Sequence, residues 1–294
     1  MTVPRRATTL VTSLGGLAVV VALAAVLTGV APAAAQDGLL VLDPADFDPD
    51  SHVIDHEHLP FSPGTRLVLR GSAFQDGERI RRRVETTVTD LTKEIGGVRA
   101  AVILEKDYND GELVEVELAF RAQDRQGNVW HLGEYTETWE GEDLVGGQAW
   151  MVGNPEGAQA GILMPARPRR SAPDFSQGYA PAPYNWADRG RVVLVGGKTA
   201  VPAGDFDDVV IVEEWDAADP SAFQLKYYAP GVGNVRVGWR GEDEERETLQ
   251  LLKLERLDAD ALAAVRDEAL ALEARAYVYG MTAPATPLGY SDDP

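Results

Sequence analysis

From Arg66 onward the chain trades apolar and polar side chains at every second position. Ile80, Arg82, Val84, Thr86 and Val88 hold one parity of a long run, with Arg81, Arg83, Glu85 and Thr87 on the other. Val114, Val116, Leu118 and Phe120 repeat the pattern against Glu115, Glu117 and Ala119. A period of two is the mark of a strand with one face in a core and one in water. Runs of the same kind occur at Arg66–Arg70, Val98–Asp107, Val129–Trp139, Val192–Val195, Val209–Trp215, Phe223–Tyr228, Asn234–Trp239 and Thr248–Leu254. Asn109-Asp110-Gly111 is the strongest hairpin signal between them. Gln126-Gly127-Asn128, Gly141-Glu142-Asp143, Gly196-Gly197, Asp219-Pro220 and Gly241-Glu242-Asp243 punctuate the rest. Strand following turn following strand predicts an antiparallel meander, and roughly ten strands do not stay flat. The expected fold is mainly β, a curved meander or half-barrel.

Two segments depart from this rhythm. The stretch from Gly153 to Trp186 holds Pro155, Pro165, Pro168, Pro173, Pro181 and Pro183. Each proline lacks a ladder donor, so a long loop is expected there. From Asp258 to Tyr277, Leu262, Val265, Ala269, Leu272 and Ala276 recur at helical spacing, with Asp258 or Asp260 as cap and Gly280 as terminator. The predicted organisation is an acidic lead at 36–60, a β-rich domain at 61–257, a helix at 258–280 and a polar tail at 281–294.

The N-terminus reads as an address. Arg5 and Arg6 precede an apolar run from Leu14 to Val30, and Ala33-x-Ala35 is a small-residue cleavage signature. Cleavage after Ala35 leaves Gln36 at the new N-terminus. The alternative is an uncut signal anchor holding a surface protein to the membrane, since the run approaches the ~20 residues that span a bilayer.

Charge and composition narrow the function. The 294 residues carry 27 basic and 47 acidic side chains, a net charge of -20. Loss of Arg5 and Arg6 leaves 25 basic against 47 acidic, or -22. Such a surface opposes nucleic acid and anionic lipid. With no Cys, there are no disulfides, cysteine nucleophiles or lipobox.

Four phrases in order carry a resemblance. They are Phe120-Arg121-Ala122-Gln123-Asp124-Arg125-Gln126-Gly127-Asn128-Val129-Trp130 leading into Leu132-Gly133-Glu134, then Gly157 to Ala166 with Gly161-Ile162-Leu163-Met164-Pro165-Ala166, then Val201-Pro202-Ala203-Gly204-Asp205-Phe206-Asp207-Asp208-Val209, and Lys226-Tyr227-Tyr228-Ala229-Pro230-Gly231-Val232-Gly233. The chain resembles a family of uncharacterised exported bacterial proteins and lipoproteins with no assigned activity. The resemblance implies a lipoprotein-carrier-like curved sheet and names no ligand. The chain departs from the family where His56-Glu57-His58 replaces the usual Asn-Pro-Tyr, and the C-terminal helix looks like an addition.

Candidate chemistry is sparse. His56 and His58 fall on one face of an extended segment, and with His52, His131 or a carboxylate they form a candidate zinc site. Asp107-Tyr108-Asn109-Asp110-Gly111-Glu112 has Gly at the wrong place for a calcium loop and reads as a turn. Asp205, Asp207, Asp208, Glu213 and Glu214 are a carboxylate cluster expected to be solvated. No Gly-x-Ser-x-Gly elbow surrounds Ser171, Ser176 or Ser221, and Gly231-Val232-Gly233 lacks the lysine of a phosphate loop. Aromatic residues line the strands, and Trp130, Trp139, Trp215 and Tyr228 are the candidates for an apolar binding face, with Met164-Pro165 at its mouth. The leading expectation is a non-enzymatic exported module binding an apolar small molecule or a protein partner. The alternative is a hydrolase using carboxylates or a His-bound metal. The intact mass of protein from culture supernatant is expected to correspond to a chain beginning at Gln36. Material retaining Met1 and recovered only from membranes overturns the cleavage reading.

Overall fold

The computed structural model describes residues 38–276 and 282–289. The export segment through Ala35, Gln36 and the Gly280 terminator lie outside these residues.

The meander closes on itself. Strands β1 (Thr65–Gln75), β2 (Glu78–Ile95), β3 (Val98–Asn109), β4 (Glu112–Gln123) and β5 (Val129–Glu140) follow one another as antiparallel neighbours. After β6 (Asp143–Met151), the wall continues through β7 (Gln159–Met164), β8 (Phe175–Ala180), β9 (Trp186–Val201), β10 (Gly204–Asp216), β11 (Ala222–Ala229), β12 (Gly233–Gly241) and β13 (Thr248–Arg256). β1 pairs with β2 on one side and with β13 on the other, so twelve strands form a ring with β6 outside it as a flap on β5. The expected half-barrel is thus a complete barrel. Closure removes the two edges that an open sheet would expose.

The expected Pro-rich loop is also corrected. β7 and β8 lie within it and belong to the wall. All six prolines fall in the connections before, between and after them, where no ladder donor is needed. The segment expected to be a polar tail contributes β14 (Thr286–Pro287), which pairs with Thr92 and Leu91 of β2.

Helix α1 (Ala259–Arg275) begins at Asp258, whose carboxylate accepts from the Ala261 N–H at 2.9 Å. It packs Val265, Ala269 and Leu272 on the outside of the barrel, against Val102, Leu104 and Leu118. Charges fix its position: Lys93–Glu273 at 2.6 Å and fully buried, Lys106–Glu268 at 2.5 Å, Arg275–Glu137 at 2.6 Å, and a two-pronged Arg266–Asp90 pair.

This docking reverses the expected polarity of the strands. Val116, Leu118 and Phe120 of β4 face outward beneath α1. Ala119 and Arg121, of the other parity, face the interior, as do Ile103 and Glu105 of β3. The alternation is real, but over β3 and β4 its polar parity looks into the barrel and its apolar parity out.

The closing seam depends on Gly71. A Cβ at this position would stand 1.6 Å from the carbonyl oxygen of Thr248 on β13. Gly71→Ala is therefore expected to lower stability by about 2 kcal/mol or more, read as an earlier urea midpoint. Gly146→Ala, which meets nothing closer than 3.9 Å, is the control and is expected to stay within about 0.5 kcal/mol. Equal midpoints for the two variants contradict the seam.

Candidate functional site

A short strap crosses one end of the barrel. Ile54 bridges Phe61, and Ile54 and Leu59 are buried against the interior. The strap is pinned by its polar atoms. The Gly231 N–H donates to the Glu57 carbonyl at 2.7 Å. Gln123 accepts from the N–H groups of Asp55 and His56, both at 3.1 Å. His56 Nδ1 accepts the His58 N–H at 3.1 Å, and its Nε2 lies 3.1 Å from the Pro165 carbonyl oxygen. His58 Nε2 lies 2.9 Å from the Asp208 carbonyl oxygen. The accepting Nδ1 of His56 fits a neutral imidazole that donates from Nε2, and burial lowers its pKa.

That arrangement bears on the zinc reading. Both nitrogens of His56 are engaged, so neither offers a lone pair to a metal. His131 sits elsewhere, inside the wall of β5, edge-on to Trp150 at 4.8 Å. Among the described residues no three His, Asp or Glu side chains assemble as a metal requires. His56 and His58 clasp the strap to the barrel.

Beneath the strap lies a cavity of about 110 Å³. Its walls are apolar: Leu59, Leu67, Leu69, Ile103, Val237 and Leu249. Its polar lining includes Glu105, Arg121, Lys226 and Tyr228. An outer hollow of about 280 Å³, bounded by the strap and Arg256, shares Pro60, Thr65 and Val232 with the cavity. The shared residues set the hollow beside the cavity, between strap and barrel rim.

Further along the barrel the interior is charged. Arg82 donates to Glu247 at 3.0 Å and to Asp107 at 2.8 Å. Lys226 meets Glu214 at 2.6 Å, and Gln177 donates to Glu214 at 3.0 Å. Thr86 donates to Glu105 at 2.6 Å. One oxygen each of Glu105, Asp107, Glu115 and Glu117, and Nη1 of Arg121, have no partner among the described residues. Burial pushes Asp107, Glu115, Glu117 and Asp188 well above the usual carboxylate range and Glu105 up to about 7. Burial, with Arg121 nearby, pushes His131 down to about 4.

The aromatic candidates separate. Trp130 faces outward, its indole N–H on Asp124 at 2.8 Å and its ring edge-on to Phe47 at 5.8 Å. Trp139 packs in the same outer cluster. Trp215 lies with Phe223 at 5.8 Å and Arg191 at 5.5 Å, away from the cavity. Tyr228 is the member of the four that lines the cavity. The carboxylate cluster separates as well. Asp205, Asp207 and Asp208 are exposed. Glu213 and Glu214, expected in solvent, are buried. Adjacent positions on a strand point to opposite faces: Glu213 is held by Arg191 and Arg240, and Glu214 by Lys226. Glu105, Arg121 and Lys226 were not candidates from the sequence. Their one signal is that β4 has two patterned faces, and the apolar one is claimed by a helix.

No family model matches the chain, and no curated protein does. Two solved structures are similar in part. One is from Bacteroides fragilis, described as exported and of YmcC-like fold; it is 14% identical, with a TM-score of 0.38 over 68% of this chain and 99% of its own. The other is from Parabacteroides distasonis, described as a lipoprotein; it is 13% identical, with a TM-score of 0.39 over 68% of this chain and 99% of its own. Overlap this loose carries no argument about this chain.

Buried carboxylates set a pH dependence. In the folded state Glu105 takes up a proton near pH 7, and Glu245, between β12 and β13 and also raised by burial to about 7, does the same. In the unfolded chain both remain ionised down to about 4.3. Between pH 8.5 and 7.5 the folded state therefore binds more protons, and stability rises as pH falls, by up to about 1.4 kcal/mol per pH unit for each proton bound. This window lies above the ordinary imidazole value of about 6.5, so proton uptake by histidines of the unfolded chain adds little to it. The melting temperature is expected to be higher at pH 7.5 than at pH 8.5; a flat or falling value contradicts the raised carboxylates.

Proposed function

We propose that the protein is a non-enzymatic binding module that works outside the cytoplasm and holds an apolar small molecule under the strap. The observation that carries this reading is the cavity of about 110 Å³ within the ring of strands, with largely apolar walls and an outer hollow adjoining it at the strap. Its size is nearer a pocket that takes a benzene-sized group, about 150 Å³, than the 300–1,000 Å³ of sites that swallow a drug-sized ligand. The outer hollow of about 280 Å³ accommodates the rest of a longer molecule. Affinity comes from apolar area removed from water, at roughly 25 cal/mol per Å². Work outside the cytoplasm is supported by the export signature ending at Ala35.

Native mass spectrometry of protein from culture supernatant is expected to show a discrete added mass of small-molecule size. Ala119→Leu, which fills the cavity wall, is expected to lose that mass while keeping the wild-type circular dichroism. A bare wild-type protein, or an adduct indifferent to the substitution, sinks the reading.

A further inference from the structure

We infer that the molecule under the strap carries a carboxylate at its buried end and that Arg121 pairs with it; the inference rests on the binding reading above. Arg121 is 5% exposed. Arg121 lines the cavity, and its Nη1 has no hydrogen-bond partner among the described residues. A buried, unpaired donor on a charged group is among the most expensive features a barrel can keep. A ligand that supplies the missing acceptor removes the cost at the moment of binding.

The charged residues at the cavity surface are Arg121, Lys226 and Glu105, two basic against one acidic; Asp107, Glu115 and Glu117 do not line it, although Glu117 and Glu134 act on Arg121 from outside the cavity. Lys226 is already paired with Glu214. Glu105 accepts from Thr86 and stands in the field of Lys226, Arg121 and Glu134, and burial leaves its carboxyl partly protonated near neutral pH. It therefore opposes an incoming anion only weakly. The unpartnered Nη1 of Arg121 donates to a carboxylate in a charge-assisted hydrogen bond, stronger than one to a neutral acceptor. A hydroxyl end satisfies it less completely, and an ammonium end is repelled. The small cavity admits a single carboxyl and the first part of an apolar chain, and the outer hollow takes the remainder.

Three probes of equal length separate these ends: decanoate, decanol and decylamine, titrated calorimetrically into the delipidated full chain. Decanoate is expected to bind about tenfold or more tighter than the other two. Arg121→Gln is expected to bring decanoate down to the level of decanol while leaving decanol unchanged. Glu105→Gln is expected to keep or raise decanoate affinity. Decanol binding as tightly as decanoate to the wild type, or decanoate affinity surviving Arg121→Gln, overturns the role of Arg121 and leaves the binding reading standing. Binding of none of the three overturns both. Should Arg121→Gln fail to fold, the wild-type ranking still decides.

Discussion

A ring of strands must fill what it encloses. Eight strands surround a space that their own side chains just occupy, and the diameter grows with strand number. Twelve strands here leave a wider interior, and short aliphatic residues alone do not reach across it. The chain answers with two materials. Long side chains such as Arg82, Glu117 and Lys226 occupy one part. The strap from Ile54 to Phe61 closes the end of the other and leaves the cavity beneath it.

Filling a lumen with charge has consequences for the outside. If the polar parity of β3 and β4 is spent inward, their apolar parity faces out and needs cover. Helix α1 supplies it, and its ion pairs through Lys93, Lys106, Glu137 and Asp90 fix where it lands. Buried pairs of this kind contribute little net stability, because desolvation offsets attraction. Their effect is on register: one placement of the helix satisfies all of them. The outer face of β1 and of the first part of β2, with Arg70, Arg81 and Arg83, carries its own charge, whereas the later part of β2 lies under α1 through Asp90 and Lys93.

The strands were legible because each carries its own period and its own turn. Asp110 and Gly111 take φ of 51° and 100°, the backbone that the Asn-Asp-Gly sequence is suited to adopt. The sign of the alternation was not legible. Period two separates two faces without saying which is inside, and the answer for β4 lies some 150 residues away in the helix that claims Leu118. In the Pro-rich stretch the number of prolines suggests a loop throughout. Their positions, all between strands, leave room for β7 and β8. The site was obscured for the same reason as the polarity. Aromatic side chains drew attention, whereas the cavity is lined by Glu105, Arg121 and Lys226, which read as solvated strand positions until the ring is closed.

The seam between β1 and β13 also orders events in time. It joins positions 191 residues apart, as in the contact of Arg256 with Thr65. Contacts so distant in sequence form late, because the chain entropy of the intervening loop must be lost before they return anything. Until β13 has been delivered, β1 has one neighbour and the cylinder cannot shut. A polypeptide with this topology keeps an open wall for as long as its C-terminal third is withheld, and the wall is continuous only when β13 arrives.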